Sequence, residues 1–406
     1  MAEVKIEKWV YGGAGLGRAD GQVHLVPFVM PGEEVRVDPT RSKPGLVEGR
    51  AAEFLTRSEE RIAPECAYFE ECGGCHYQMA PYEFQLARKV EIVREVFQRV
   101  GKFAAPETID VLQGEPWGYR NRSQFHFQSH SLGFKKAGTD KVVDVGHCPI
   151  SAPLINETLK KIRELRRGPQ FPRFLKEIEL FTNGEKTMVN VLETEQSRGV
   201  AKTFFEFLAR EISGANDGFL EYKVGADSFR VGHRSFFQVN RFLAEAMVEC
   251  ALVGAEGKTA LDLYAGVGLF TLPLARRFEQ VAGVESDGSA VRDLQFNAER
   301  VGLGIGAHRL QSEQYLEGLK TPPDFVLADP PRTGLGKAVV KHLIRLMPPR
   351  ITLVSCDPAT LSRDLAALFE SGYQLEHLTM VDLFPQTYHI ETISRLVRCN
   401  ASPSLS

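Results

Sequence analysis

Long apolar runs are missing from this 406-residue chain, and each of its other scarcities narrows what it does. No stretch approaches the roughly 20 apolar residues that span a bilayer. Residues 1–10 alternate charged and apolar side chains without the apolar segment of a signal peptide. The expectation is a soluble, cytoplasmic protein with no membrane partner. Cysteine is scarce too, and seven unevenly placed residues exclude a disulfide scaffold and leave at least one thiol free. The net charge of -3 excludes a surface that attracts phosphate everywhere, so any nucleic-acid binding must come from local basic patches. Apolar residues, by contrast, make up 43% of a chain too long for one core, so two or three packed domains are expected.

Residues 5–11, 22–28, 34–38 and 46–54 read as short strands. Gly12, Gly13, Gly15 and Gly17 mark one connection, Pro31-Gly32 another, and residues 39–45 a third. That rhythm suits a five-stranded OB-like barrel. Lys5, Lys8, Arg18, Arg36, Arg41 and Lys43 offer it either a phosphate-facing side or a merely solvated one.

Cys66-x5-Cys72-Gly73-Gly74-Cys75 follows, and then a helical period over about residues 81–100. Cys148 is the remaining cysteine of that half and completes a set of four soft ligands. Four thiolates suit zinc or an iron–sulfur cluster. Zinc ribbons use two close Cys-x2-Cys pairs, whereas three clustered ligands plus a remote fourth is nearer to ferredoxin-like ligation, so iron–sulfur is favoured.

Between residues 115 and 136, aromatic and basic residues interleave, as in surfaces that stack bases and hold phosphates. Phe125 and Phe127, two apart, equally describe the buried face of a strand, which leaves Arg120, Arg122, Lys135 and Lys136 as the nucleic-acid candidates. A second basic run over residues 160–176 reads equally as a solvated helix face.

From about residue 232 strands and helices alternate, the sign of a doubly wound sheet. A strand over residues 259–264 runs into Gly266-Val267-Gly268, whose glycines admit a ligand to the backbone, and a helix over residues 269–277 follows. The next strand, residues 280–284, delivers Glu285 to ribose hydroxyls. That fits NAD or S-adenosylmethionine. Thr271 stands where a dinucleotide turn has its third glycine, so the methyl donor is preferred. Two later apolar runs end in Asp329-Pro330-Pro331-Arg332 and Ser355-Cys356-Asp357-Pro358, at the sheet edge where such folds bind ligands. Asp357 caps the following helix, whose positive end favours a reactive Cys356 thiolate. An antiparallel pair over residues 381–384 and 392–397 would carry Glu391 at its mouth as a base facing that thiol.

Together with Ser235-Phe236-Phe237-Gln238-Val239-Asn240, Asp262-Leu263-Tyr264-Ala265-Gly266 and His389-Ile390-Glu391, these motifs resemble the RNA uridine-5 methyltransferases, in order along nearly the whole chain. The turn at residues 12–18 and Val26-Pro27 with Pro31-Gly32-Glu33 resemble the TRAM domain of that family's iron–sulfur members acting on 23S ribosomal RNA. The resemblance implies a TRAM barrel at residues 1–57, a central α+β iron–sulfur and RNA-binding domain at 58–231, and a Rossmann-like α/β methyltransferase domain at 232–406. It implies S-adenosylmethionine contacts from Gln238, Tyr264, Glu285 and Asp329, with Cys356 as nucleophile and Glu391 as proton acceptor. A [4Fe-4S] cluster on Cys66, Cys72, Cys75 and Cys148, RNA as partner (23S rRNA, with tRNA as the alternative) and a monomeric state complete the expectation. Ser312 and Glu313, where the family places an acidic residue near the adenine, are left unassigned.

Overall fold

The computed structural model describes residues 1–399, and the chain forms two compact units. The first comprises Met1–Ile92, Glu115–Ile212 and Phe384–His389; the second comprises Val93–Gly114, Ser213–Leu383 and the chain from Ile390 onward.

In the first unit, β1 (Ala2–Trp9), β2 (Ala14–Ala19), β3 (Gln22–Pro27), β4 (Glu34–Lys43) and β5 (Leu46–Thr56) close into a barrel in the order β1-β2-β3-β5-β4. Alternation turns Val4, Ile6, Val26, Val35 and Val37 inward with Val29, giving an all-aliphatic core. One strand was missing from the sequence reading, because β2 carries the glycines expected to form a connection. A Cβ on Gly15 would lie 2.5 Å from Val29 Cγ2, and one on Gly17 would collide with the Lys5 carbonyl. The glycines are there because neighbouring backbone comes too close for a side chain. Buried Glu33 then ties the barrel to the outgoing chain, accepting from Arg61 Nε at 2.7 Å, Ser58 N at 3.2 Å and Met30 N at 2.7 Å.

Helix α1 (Tyr82–Val96) ends in a π turn over Phe97–Gly101, and the short β6 (Asp110–Leu112) belongs to the second unit's sheet. The first unit resumes with β7 (Arg122–Gln128), β8 (Ser131–Lys135), β9 (Val142–Asp144), α2 (Pro153–Leu165), β10 (Leu175–Thr182), β11 (Thr187–Thr194) and α3 (Lys202–Glu211). Its sheet has the order β11-β10-β7-β8-β9. Arg122 proves to be a structural residue: its guanidinium lies 4.0 Å over the Phe181 ring and 3.8 Å from Glu179, so it is not the RNA-facing group expected. Phe125 is buried, which bears out the bland reading of that aromatic.

The second unit opens with the hairpin β12 (Phe219–Val224) and β13 (Asp227–Gly232), then α4 (Ala244–Ala251). Strands β14 (Thr259–Leu263), β15 (Gln280–Glu285), β16 (Ile305–Arg309), β17 (Phe325–Ala328) and β18 (Arg350–Ser355) are parallel. They alternate with α5 (Thr271–Ala275), α6 (Gly288–Arg300), α7 (Ser312–Gly318), α8 (Gly336–Leu346) and α9 (Pro358–Glu370). With β19 (Tyr373–Val381) and β20 (Glu391–Arg398) the sheet order is β16-β15-β14-β17-β18-β20-β19-β6. All four residues of β17 are buried, as a strand covered on both faces requires. The terminal antiparallel pair exists, but its first strand ends at Val381, where the sequence reading had it begin. No helix among the described residues is long and apolar enough to cross a membrane.

Candidate active site at the strand ends

Register brings the site together. Parallel pairing matches Leu263 with Val284 and with Ala328, so one step further along each strand stand Tyr264, Glu285 and Asp329. Antiparallel pairing matches Ser355 with Thr392, and the next step sets Cys356 against Glu391. Gln238 is buried on the approach from β13 and donates from Nε2 to Asp329 Oδ2 at 3.5 Å. All six residues proposed for catalysis or donor contact therefore lie in the second unit.

The turn after β14 divides its glycines between two tasks. At Gly266, φ +54°, an added Cβ would meet nothing within 4 Å, which leaves the backbone open to a ligand. At Gly268, φ +97°, it would lie 2.6 Å from Leu294 Cδ1, so this glycine serves packing rather than ligand approach. Tyr264 holds φ +63°, a strained conformation for an aromatic residue that such sites retain. Glu285 accepts from Gly266 N at 3.0 Å and from Asp287 N at 2.8 Å, which fixes its carboxylate above the turn. Thr271, in the position of the absent third glycine, donates to the fully buried Asp262 at 2.5 Å. Burial outweighs that bond and pushes the Asp262 carboxyl up to about 8, helped by Asp329 and Glu285. Two features escaped sequence reasoning. Ser312, buried at the start of α7, shares a hydrogen bond with the Tyr264 hydroxyl. Phe236 stays 61% exposed two residues before buried Gln238, an apolar ring left in water where a base has a face to stack on. The doubled aromatic in Phe236-Phe237 was the available signal, since a strand-like alternation buries only one of the two.

The thiol is more strongly held as a thiol than the helix end alone suggests. Asp357 does cap α9, accepting from Ala359 N at 2.9 Å and Thr360 N at 2.8 Å. Yet burial, followed by the Glu391 and Asp329 charges, pushes Cys356 up to about 12, and only Arg332 pulls it back. Burial raises Asp329 to about 7; burial and the Asp329 charge raise Glu391 well above the usual carboxylate range, with Arg332 opposing the shift of Glu391. The pocket is thus rich in carboxyl groups and poor in cations, a setting that welcomes a cationic ligand.

In the first unit Cys66, Cys72, Cys75 and Cys148 line one cavity of about 630 Å³, together with Arg120, Lys135 and Lys136. Gly73 N donates to Lys135 O at 3.0 Å, and Asn156 accepts from Cys148 N at 2.8 Å, so both ends of the cysteine set are pinned. Burial raises the Cys66, Cys72 and Cys75 thiols, Cys72 to about 11. Among the described residues no three or more His, Cys, Asp or Glu side chains are gathered closely enough to hold a single ion. The four cysteines thus share a cavity without forming a metal-binding group among the described residues.

This doubly wound fold is that of an S-adenosylmethionine-dependent methyltransferase, as its likeness to known proteins shows. The sequence profile of the family described as tRNA (Uracil-5-)-methyltransferase matches residues 226–398. An uncharacterized RNA methyltransferase of Thermotoga maritima is 32% identical, the alignment covering 98% of this chain and 99% of that protein. A 23S rRNA (uracil(1939)-C(5))-methyltransferase of Enterobacter is 32% identical over 94% of this chain and 93% of its own. The solved structure of Pyrococcus abyssi tRNA (uracil-54, C5)-methyltransferase with S-adenosyl-L-homocysteine superposes with a TM-score of 0.74 at 26% identity, covering 98% and 100% of the two chains. The chain belongs to the RNA uracil-C5-methyltransferase family.

Proposed function

We propose that this enzyme methylates C5 of a uridine in 23S ribosomal RNA by covalent catalysis, with Cys356 as nucleophile and Glu391 as base. The register that sets Cys356 against Glu391 is the observation that carries the reading. Uracil C5 is a poor nucleophile, and addition of the Cys356 thiolate to C6 makes it an enolate carbon. S-adenosylmethionine, when bound, supplies an electrophilic methyl group to that carbon. Gln238, Tyr264, Glu285 and Asp329 are the residues that would hold it, and Gly266 leaves room for it at the turn. Glu391 then takes the C5 proton, the C5–C6 double bond re-forms, and the thiolate leaves from C6. Burial raises the Glu391 carboxyl and so makes its carboxylate a stronger proton acceptor. Arg332 offsets the carboxyl groups around the thiol. The target base must be unstacked to be reached from its face, and exposed Phe236 offers a surface for the opened stack.

Ribosomal RNA is preferred because the relatives named for it are 32% and 33% identical over 94% of this chain, against 26% for the archaeal tRNA enzyme. The likeness to the archaeal tRNA enzyme keeps tRNA as the second reading. Cys66, Cys72, Cys75 and Cys148 would hold a structural [4Fe-4S] cluster, since methyl transfer to this carbon consumes no electrons. The division into a barrel at 1–57, a cysteine-bearing segment at 58–231 and a catalytic segment at 232–406 is kept as a functional one. Mass-spectrometric mapping of 5-methyluridine in total RNA from cells with and without the protein tests substrate and product together. Loss of one 23S rRNA site is expected; unchanged 5-methyluridine in every RNA contradicts the reading.

A further inference from the structure

Just before Glu391 the chain makes an excursion. Residues up to Leu383 and from Ile390 belong to the second unit, while Phe384–His389 belong to the first. Every carbonyl in the first half of this strap is held. Lys89 Nζ donates to Phe384 O at 3.1 Å, the Tyr119 hydroxyl donates to Pro385 O at 3.0 Å, and the backbone N–H groups of His76 and Tyr77 donate to Gln386 O at 2.8 and 3.1 Å. Gln386 sits at the centre with φ +67°, a left-handed conformation that a non-glycine residue keeps only when its surroundings impose it. Gln85 imposes it: its Oε1 accepts from Gln386 N at 3.1 Å, and its Nε2 donates to Gln386 Oε1 at 2.9 Å and to Ala80 O at 2.9 Å. Both glutamines are buried, so neither amide has water to fall back on. His76 and Tyr77 directly follow Cys75, so the same loop that bears the thiols grips the strap.

We infer that Gln85 is a positioning residue for the proton-removal step: by fixing Gln386 in its left-handed turn it sets the entry of β20 and thereby the carboxyl of Glu391. The inference rests on the covalent reading of the active site. Cys356 follows β18, which pairs with β20, whereas Glu391 is separated from the strap by Ile390 alone. Loosening the strap therefore spares thiol addition and methyl transfer and slows proton removal. The RNA then stays bonded to Cys356 with its C5 already methylated.

The experiment is a single-turnover reaction with S-adenosylmethionine and RNA bearing the target uridine, following methyl incorporation and, on denaturing gels, the covalent protein–RNA adduct. In Gln85→Leu, methyl incorporation is expected within about threefold of the unaltered enzyme while the adduct resolves on the order of 30-fold more slowly, part of what a general base contributes. Tyr119→Phe, which loses only the hydroxyl on Pro385 O, is expected to slow release selectively but less, and serves if Gln85→Leu does not fold. Adding Gln386→Gly to Gln85→Leu should recover part of the release rate, because glycine adopts the left-handed turn without support. Wild-type release in a folded Gln85→Leu, or equal slowing of both steps in these variants, overturns the strap. An unaltered enzyme that forms 5-methyluridine without any adduct overturns the covalent reading on which it rests.

Discussion

Two regions of the molecule gather thiols, and their neighbours assign them different work. In the first unit four cysteines line one cavity, and burial together with their neighbours' charges raises the Cys66, Cys72 and Cys75 thiols. At the strand ends of the second, the Cys356 thiol is buried among carboxyl groups with Arg332 as the opposing charge, and its pKa rises to about 12. The first setting is where a ligated group is proposed. The second suits a thiol kept protonated, and so unreactive, until a ligand alters the charge around it. Burial raises the thiols in both regions; what differs is their neighbours, other cysteines in the first and the Glu391 and Asp329 carboxyl groups in the second.

The comparison breaks most visibly at the nucleophile. Cys356→Ala is expected to lose 5-methyluridine formation by more than about 10⁴-fold, as removal of a nucleophile does; methylation at an ordinary rate would reduce Cys356 to a packing residue. Glu391→Gln should slow turnover by roughly 10²–10⁴-fold and accumulate the adduct, and normal release kinetics would strip Glu391 of its role. In the cysteine cavity, Cys75→Ser should leave methyl-transfer chemistry intact per folded molecule while abolishing visible absorbance and bound iron under anaerobic purification. Stoichiometric zinc in the unaltered protein would make the site a single-ion one.

Smaller effects follow from protonation. Ligand-free Cys356 should alkylate with iodoacetamide at a rate that keeps climbing with pH from 6 to 10, read by mass spectrometry of its peptide; a plateau near an ordinary thiol pKa of about 8.5 would contradict the buried, carboxyl-flanked setting. Asp262 has its carboxyl raised to about 8 in the fold, so the folded state binds a proton more tightly than the unfolded chain. Its contribution to stability is complete below the unfolded value near 4 and is lost as pH rises through about 8. Asp262→Asn should remove that share of the melting-temperature decline between pH 4 and 8, a shift of a few degrees by calorimetry.

Motifs at the ends of strands were the legible part of this chain, because glycine-rich turns, a capping Asp357 and a thiol after an apolar run are local signals. The alternation of β14 to β18 with helices was readable for the same reason. What hid was whatever depends on distant partners. Gly15 and Gly17 looked like a turn until Val29 and the Lys5 carbonyl were beside them. Arg122 looked like an RNA contact until Phe181 and Glu179 enclosed it. Cys356 looked activated by a helix end, but burial, with the carboxyl groups brought beside it by β17 and β20, reversed that balance. Apart from Phe384, the strap at Phe384–His389 reads from sequence as a plain connection between two strands, since nothing in six residues reveals that Gln85, 301 positions away, holds its turn.

The central claim is that Cys356 bonds to the RNA and Glu391 frees it. The direct measurement is peptide mapping of the denatured complex that Glu391→Gln forms with S-adenosylmethionine and 23S rRNA fragments. A Cys356 peptide carrying a methylated uridine is the predicted result; no adduct at all, or an adduct on another residue, would contradict the account.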